Sequence, residues 1–319
     1  AASNINGSAE SDSNNFFIPE LGYNRMLNPD TSIGITVYAN GGMNTDYPNG
    51  QITSASGVGT CNNFLTMGGQ TTATSHNLLC GTSRLGVDLM QVVVAPTVAY
   101  KITPNHAFGI SPLIGYQRFK AEGLQGFAAY SEDRYNLTNN DYDTASGLGL
   151  RVGWMGKITD MVTLGAAYST KIYMSRFEKY KGLFAEDGDF DMPENYNAGI
   201  AVRPFKPLIL ALDYQRINYS GVQAVGNSSK NGGSAIANTL GGDNDRGFGW
   251  KDIDVWKIGL SYQLSDLLTL RGGYSHSDNP IQSQDVTFNI LAPGVIKDHY
   301  TAGVSFKVSK SSELTLSYM

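Results

Sequence analysis

Several stretches of the chain alternate between large apolar side chains and small or polar ones. Residues 256–262 and 300–306 follow this pattern, and so does the longer run 162–174. In that longer run the predicted apolar face consists of Val162, Leu164, Ala166, Tyr168, Ile172 and Met174. A period of two residues predicts β-strands with one apolar face. Large apolar residues outward and small or polar residues inward is the order expected when lipid lies outside a barrel and water inside it.

Six short turns join these runs in pairs. They contain polar residues or proline, as tight hairpins do, and read Arg25-Met-Leu-Asn-Pro-Asp-Thr, Lys101-Ile-Thr-Pro-Asn-His, Lys157-Ile-Thr-Asp-Met, Arg203-Pro-Phe-Lys-Pro, Gln263-Leu-Ser-Asp-Leu and Lys307-Val-Ser-Lys-Ser. Successive turns are about 45 to 75 residues apart, an interval that holds two strands and one long loop.

The pattern therefore predicts an all-β protein, a transmembrane antiparallel up-and-down barrel with twelve visible strands in one domain, 1–319. The predicted strands are 16–27, 32–42, 86–101, 107–120, 146–158, 162–177, 195–204, 208–222, 253–264, 267–276, 298–308 and 312–319. The long loops, predicted to lie outside the cell, are 43–85, 121–145, 178–194, 223–252 and 277–297.

Composition agrees with a bacterial outer-membrane location. Charged residues are 16% of the chain, below the roughly 25% of an ordinary soluble domain. No stretch reaches the roughly 18 consecutive apolar residues that a spanning helix requires, and strands can span lipid only as a closed barrel. The net charge of −5, without a basic cluster, argues against nucleic acid as a partner. The expected surroundings are outer-membrane lipid and lipopolysaccharide.

Two cysteines, Cys61 and Cys80, lie in one polar loop. This placement suits a local disulfide in an oxidising compartment, with two free thiols as the alternative.

Short segments resemble the FadL/TodX family of outer-membrane transporters of long-chain fatty acids and hydrocarbons. They are Phe17-Ile-Pro-Glu-Leu-Gly-Tyr, Ile35-Thr-Val-Tyr-Ala-Asn-Gly-Gly-Met-Asn-Thr-Asp-Tyr, Gly247-Phe-Gly-Trp-Lys-Asp, and Leu268 to Asp278 with Asn279-Pro280. The resemblance implies a monomeric barrel of 14 strands with an N-terminal hatch, and a hydrophobic ligand captured by the outer loops and released sideways through the wall. The family's hatch and its first and last strands have no counterpart here, so we expect the sequence to be part of a longer protein. The alternative is that twelve strands close on themselves.

The resemblance places the lateral opening at Asn40, Gly41 and Gly42, where a strand is expected to end in a kink. Adjacent glycines at a strand end also favour a bulge or bend. A plain transition from strand to loop is the alternative.

Apolar residues in loops that should otherwise be polar are the candidates for ligand binding. They are Leu124, Phe127, Tyr130, Leu183, Phe184, Phe190, Phe248, Trp250, Phe288, Ile290 and Leu291. Two inward-facing cations, Arg151 and Lys171, are candidates for holding a carboxylate headgroup. The alternatives are that the apolar residues pack the loops into a lid and that the cations pair across the lumen.

No pattern in the sequence favours catalysis, a cofactor or a metal. The acidic run from Asp187 to Asp191 resembles a calcium loop, but Met192 stands where such a loop needs glycine and Ala198 where it needs glutamate. The four histidines have no metal-ligand spacing. The leading hypothesis is passive uptake of hydrophobic small molecules, and the alternatives are a general porin for polar solutes or a surface-interaction protein.

Overall fold

A computed structural model describes residues 8–16, 18–233 and 239–319. Phe17, the first residue of the segment quoted for the family resemblance, lies outside the described residues, as do residues 234–238 of the fourth long loop.

The described residues form one antiparallel sheet. Its strands are β1 (Glu20–Met26), β2 (Thr31–Tyr47), β3 (Leu85–Thr103), β4 (His106–Glu122), β5 (Asp143–Lys157), β6 (Val162–Ser169), β7 (Tyr173–Met174), β8 (Asn195–Phe205), β9 (Leu208–Ile217), β10 (Ile253–Gln263), β11 (Leu268–Ser277), β12 (Asp298–Lys307) and β13 (Glu313–Tyr318). Twelve of them pair in chain order from β1 to β13, and the two-residue β7 pairs with β5 beside that path. The all-β up-and-down order of twelve strands is therefore confirmed.

Among the described residues, three α-helical segments lie in the loops besides short 3-10 turns: α1 (Ala55–Met67), α2 (Ala185–Gly188) and α3 (Gln223–Gly226). Ser54 caps α1 by accepting a hydrogen bond from the Gly57 N–H at its first turn. Within the described part of the chain, the helices are too short and too polar to cross a membrane.

The outer face of the sheet is apolar and exposed, as the alternation predicts. Tyrosines mark its upper edge by donating hydrogen bonds of 2.6–2.7 Å to carboxylates next to them, in the pairs Tyr168–Glu194, Tyr214–Asp254 and Tyr274–Asp298. Aromatic residues followed by charged ones are typical of the boundary between hydrocarbon and headgroups. The upper edge of the sheet, on the loop side, therefore has the side-chain pattern of a membrane interface.

The prediction for β2 is wrong in where the strand ends. The strand continues past Asn40 to Tyr47, because a bulge absorbs the irregularity. The pairing with β3 passes from Ala39 opposite Val92 to Gly41 opposite Gln91, so Asn40 is the extra residue. A bulge inserts one unpaired residue without ending the ladder.

The prediction for 162–177 is also wrong, because the wall strand β6 stops at Ser169. The Thr170 side chain accepts a hydrogen bond from the Leu150 N–H (3.0 Å), and pairing with β5 resumes only at Tyr173 with one residue inserted. A one-residue shift exchanges the faces of a strand. Ile172 and Met174, predicted to face lipid with Val162, are consequently buried in the interior.

Residues 172–192, named here the inserted hairpin, fold into the lumen above that break. A bridge between Ile172 and Met192 keeps its two sides together. A glycine on the neighbouring strand β5 gives it room: a Cβ at Gly147 would lie 2.2 Å from the Tyr173 carbonyl oxygen. The hairpin reaches the inner face of β4, where the Gln117 side chain donates to the Phe190 carbonyl (2.8 Å).

Smaller corrections concern the ends of other strands. The predicted 16–27 is reduced to Glu20–Met26 and 208–222 to Leu208–Ile217, while 146–158 begins earlier, at Asp143. Strand ends depend on the last ladder hydrogen bonds, which alternation does not specify.

Candidate functional site

The loop end of the sheet is filled by apolar side chains, not by water. Inward residues of β3 and β4, such as Leu85, Val87, Leu113 and Phe119, pack there with the inserted hairpin. The lower lumen is lined mainly by small residues that include Gly109, Gly153, Gly165, Ala167 and Gly199. Small inward residues therefore dominate the lower half of the lumen.

A cavity lies within this apolar cluster. About 520 Å³ of space inside it is free of protein atoms, including the part that opens to solvent. The volume in which the centre of a water molecule fits is about 50 Å³. Its wall consists of Leu79, Val87, Phe119, Leu124, Phe127, Leu183, Phe184, Ala224, Leu240, Arg246, Gly247, Phe248, Phe288 and Leu291. Each of the five long loops contributes to this wall, which is apolar apart from Arg246.

Seven of the predicted binding residues line this cavity together: Leu124, Phe127, Leu183, Phe184, Phe248, Phe288 and Leu291. The other four lie nearby without lining it. The ring of Phe190 is tilted against that of Phe184, with their centroids 4.8 Å apart, and the ring of Tyr130 lies 6.2 Å from that of Phe127. Trp250 and Ile290 pack against the same apolar cluster.

Aromatic packing fixes the hairpin side of the cavity. The ring of Phe119 on β4 lies 4.8 Å from both Phe184 and Tyr180. The Tyr180 hydroxyl donates to the Asp141 carbonyl (2.7 Å) and accepts from the Ala121 N–H (3.1 Å). Burial raises the pKa of Tyr180 to about 12, so this hydroxyl stays protonated.

Buried polar groups hold the opposite side, where the fourth and fifth loops meet. Asp285 is buried and accepts hydrogen bonds from the Ser229 N–H (2.7 Å) and the Ser228 hydroxyl (2.9 Å). Asn289 donates to the Phe248 carbonyl (2.7 Å) and accepts from the Trp250 indole N–H. These bonds keep Phe248 and Phe288 at the cavity wall in a part of the chain with little regular structure.

Arg246 is the cation in the cavity wall. Its Nη2 donates to the Gly233 carbonyl (3.3 Å), and its guanidinium lies over the ring of Tyr130 at 5.3 Å. An arginine at the edge of an apolar cavity is chemically suited to bind a carboxylate.

The two predicted headgroup cations lie elsewhere. Arg151 points into the lumen below the cavity, where it donates to the Tyr38 hydroxyl (2.7 Å) across the lumen and to the Ser169 hydroxyl (2.8 Å). Lys171 lies at the break in the wall, beside a cleft on the outer surface, with its Nζ 3.5 Å from the buried carboxylate of Asp191. The structure brings neither of them to the cavity.

The end of the inserted hairpin, near where the chain returns to the wall, carries two carboxyl groups, Asp189 and Asp191. Burial, together with the neighbouring charge of Asp191, raises the pKa of Asp189 to about 7. Asp191 accepts a hydrogen bond from the Met174 N–H (2.6 Å) and so ties the two sides of the hairpin together.

The predicted disulfide is confirmed: Cys61 on α1 is bonded to Cys80. It fixes α1 against the segment that carries Leu79, one of the cavity residues.

Sequence reasoning missed half of the cavity wall. Phe119 and Val87 lie on strands whose inward positions were expected to face water, and Leu79 and Leu240 were not singled out in their loops. Arg246 was also missed. The available signal is the Gly247-Phe-Gly-Trp segment, which directly follows Arg246 and contains two of the predicted binding residues, Phe248 and Trp250.

Comparison with known proteins identifies the family over most of the chain, including the residues of the cavity wall. The sequence model of the family described as "Outer membrane protein transport protein (OMPP1/FadL/TodX)" matches residues 60–319. No curated protein sequence matches the chain.

Two solved structures show the same fold. The Pseudomonas putida toluene transporter TodX is 19% identical, with a TM-score of 0.63 over 97% of this chain and 78% of that one. A Pseudomonas aeruginosa FadL homologue is 14% identical, with a TM-score of 0.59 over 94% of this chain and 68% of that one. The match of the family's sequence model to residues 60–319, with the shared fold, confirms the predicted resemblance: the chain belongs to the FadL/TodX family of outer-membrane transport proteins of Gram-negative bacteria.

Proposed function

We propose that this protein takes up hydrophobic small molecules passively, by capture in the loop cavity and lateral release at the β2 bulge. The cavity is the observation that carries the proposal, because all five long loops converge on one apolar space. Burial of apolar surface stabilises a bound ligand by roughly 25 cal/mol per Å². An apolar cavity also has few groups to hold ordered water, so an apolar ligand displaces little of it.

The size of the cavity favours a compact ligand. To hold one water, a cavity needs ~10–15 Å³ of the volume that the centre of a water molecule can occupy. The 50 Å³ found here is therefore enough for a few waters. A single aromatic ring or a short alkyl chain is of that scale. A long acyl chain requires the loops to move apart, and its carboxylate would bind at Arg246.

The release step rests on the bulge in β2. Val87 lines the cavity and Gln91, which pairs with Gly41, lies four residues further along the inner face of β3. At 3.3 Å per residue the bulge is about 13 Å below the cavity. The outer face there is apolar, so a ligand that passes the wall at this point enters lipid and not water. Transfer of an apolar molecule from water into lipid is favourable, so uptake by way of the cavity needs no energy source.

A cavity-filling variant tests the capture step. Ala224 is buried in the cavity wall, and Ala224→Leu occupies the space without removing any wall residue. Its matched control is Ala302→Leu on the exposed outer face of β12. Toluene and oleate are titrated into purified protein and their dissociation constants are measured.

We expect Ala224→Leu to weaken toluene binding at least tenfold and Ala302→Leu to leave it unchanged. Equal affinities in the two variants would show that the cavity is not the capture site.

A further inference from the structure

Two buried glutamines lie on neighbouring strands in the middle of the apolar interior. Gln91 on β3 is 6% exposed and Gln117 on β4 is 0% exposed, and they are flanked on the inner face by Leu89, Val93 and Phe119. A buried amide is unfavourable unless it is hydrogen-bonded, and leucine or methionine would pack there at lower cost. Their presence indicates a role that apolar side chains cannot supply.

The two amides belong to one chain of hydrogen bonds. The Asn40 Nδ2 donates to Gln91 Oε1 (3.4 Å), Gln91 Nε2 donates to Gln117 Oε1 (2.9 Å), and Gln117 Nε2 donates to the Phe190 carbonyl (2.8 Å). Every bond runs in the same direction, so each amide uses its oxygen towards β2 and its nitrogen towards the inserted hairpin. Bonds aligned in this way polarise and strengthen one another.

The chain of hydrogen bonds starts on β2, at the bulge. Asn40 has no partner residue on β3, and its side chain ties the extra residue to that strand. Gly41 leaves room for this contact, since a Cβ there would lie 3.2 Å from Gln91 Oε1. The amide chain therefore begins at the irregular point of the wall.

The chain of hydrogen bonds ends at Phe190, next to the cavity. The Phe190 ring packs 4.8 Å from the ring of Phe184, which lines the cavity. A ligand that occupies the cavity would press on Phe184, and the packing of the two rings would carry Phe190 with it. The Phe190 carbonyl would then be drawn away from Gln117.

We infer that Gln91 and Gln117 are positioning residues that couple ligand in the loop cavity to opening of the wall at the β2 bulge. In the empty protein the amide chain holds Asn40 against β3. When ligand shifts the Phe190 carbonyl, Gln117 loses its acceptor, and a buried N–H without a partner is costly enough to force the amides to rearrange. The Asn40–Gln91 bond is then lost, and the bulge loosens where release is proposed. This coupling rests on the proposed function.

The test is hydrogen exchange of segment 38–47, measured by mass spectrometry with and without saturating toluene. Gln117→Met keeps the side-chain length and removes the hydrogen bonds. In wild type we expect toluene to speed exchange of this segment at least fivefold. In Gln117→Met the fast rate is expected without ligand, and toluene adds nothing further.

Two further variants separate coupling from general destabilisation. The double variant Gln91→Met/Gln117→Met leaves no glutamine amide unpaired, and it is expected to show the same fast segment 38–47. Ser111→Ala removes another buried bond on the inner face of β4, the 2.7 Å contact with Thr97, and is expected to leave segment 38–47 at the wild-type rate.

The inference is overturned if ligand-free Gln117→Met speeds exchange only in the inserted hairpin and leaves segment 38–47 at the wild-type rate. That comparison uses no ligand. Failure of toluene to bind the wild-type protein would instead contradict the proposed function, so the two failures are distinguishable.

Discussion

Replacing Phe184 by alanine tests whether the inserted hairpin is held in the lumen by aromatic packing. The side chain is 4% exposed, and its ring lies 4.8 Å from both Phe119 and Phe190 and 6.1 Å from Phe177. Truncation of a buried phenylalanine costs about 3–5 kcal/mol. Because ring pairs contribute ~0.5–1.5 kcal/mol each beyond buried area, we take about 4 kcal/mol for Phe184→Ala.

Hydrogen exchange of the hairpin measures this loss locally. The Tyr180 N–H donates to the Phe177 carbonyl (3.0 Å) and the Gly188 N–H to the Phe184 carbonyl (3.2 Å), and both bonds must open for exchange. Since each 1.4 kcal/mol is about a tenfold change in an equilibrium constant, Phe184→Ala should speed their exchange by roughly three orders of magnitude.

The matched control is Phe306→Ala on the outer face of β12, where the ring is exposed. It is expected to leave hairpin exchange unchanged. An increase below about tenfold in Phe184→Ala would show that the aromatic cluster does not hold the hairpin.

Three further predictions concern the loops. Arg246→Met should weaken oleate binding about tenfold or more, because bonds to charged groups contribute ~1.5–3 kcal/mol, and should leave toluene binding unchanged in the same titration; equal losses would contradict the role of the guanidinium. Replacing Cys61 and Cys80 by serine should destabilise their loop by about 3 kcal/mol, the chain-entropy value for a closed loop near this size, given the separation of 19 residues; proteolysis within 48–84 should be faster, and a wild-type cleavage rate would refute this. Because the pKa of Asp189 is raised to about 7 in the folded hairpin and lies near 4 when the group is solvated, the folded state keeps a proton that the unfolded state releases between these pH values. Hairpin stability should therefore fall as pH rises from about 4 to about 7, Asp189→Asn should remove the dependence, and wild-type exchange that ignores pH after correction for the intrinsic rate would contradict the assignment.

The wall of the barrel could be predicted because its physics is local. Lipid on one side and a narrow lumen on the other impose alternation on every strand, and the tight turns separate the strands without reference to distant residues. The loop lengths and the disulfide follow from similarly local signals. Each of the twelve principal strands overlaps the range that alternation indicates, and the differences lie at the strand ends.

The inserted hairpin could not be predicted in this way. Its entry into the lumen depends on one extra residue near Thr170, and a one-residue slip exchanges faces without any change in composition. Ile172 and Met174 continue the alternation of β6 in the sequence while facing the opposite side in the structure. The accommodating glycine, Gly147, is distant in sequence and reads as an ordinary small inward residue.

The cavity was anticipated in part. Loop aromatics such as Phe127 and Phe288 stand out because loops are usually polar, and they meet edge to face at 5.5 Å. Phe119 does not stand out, because on a strand a phenylalanine is unremarkable and only the hairpin above it turns the lumen apolar. The amide chain through Gln91 and Gln117 is still less visible, since its three links join residues 51, 26 and 73 positions apart.

The proposed uptake requires that hydrophobic molecules cross the membrane through the protein and that polar solutes do not. Proteoliposomes that carry the purified protein allow both properties to be measured on one preparation, as the rate of radiolabelled toluene or oleate uptake and as the conductance to small ions and sugars. We expect the protein to accelerate uptake, Ala224→Leu to abolish this effect and Ala302→Leu to preserve it. The conductance to ions and sugars should stay at the level of protein-free liposomes. Free conduction of ions and sugars, with hydrophobic uptake unaffected by Ala224→Leu, would contradict the proposed uptake.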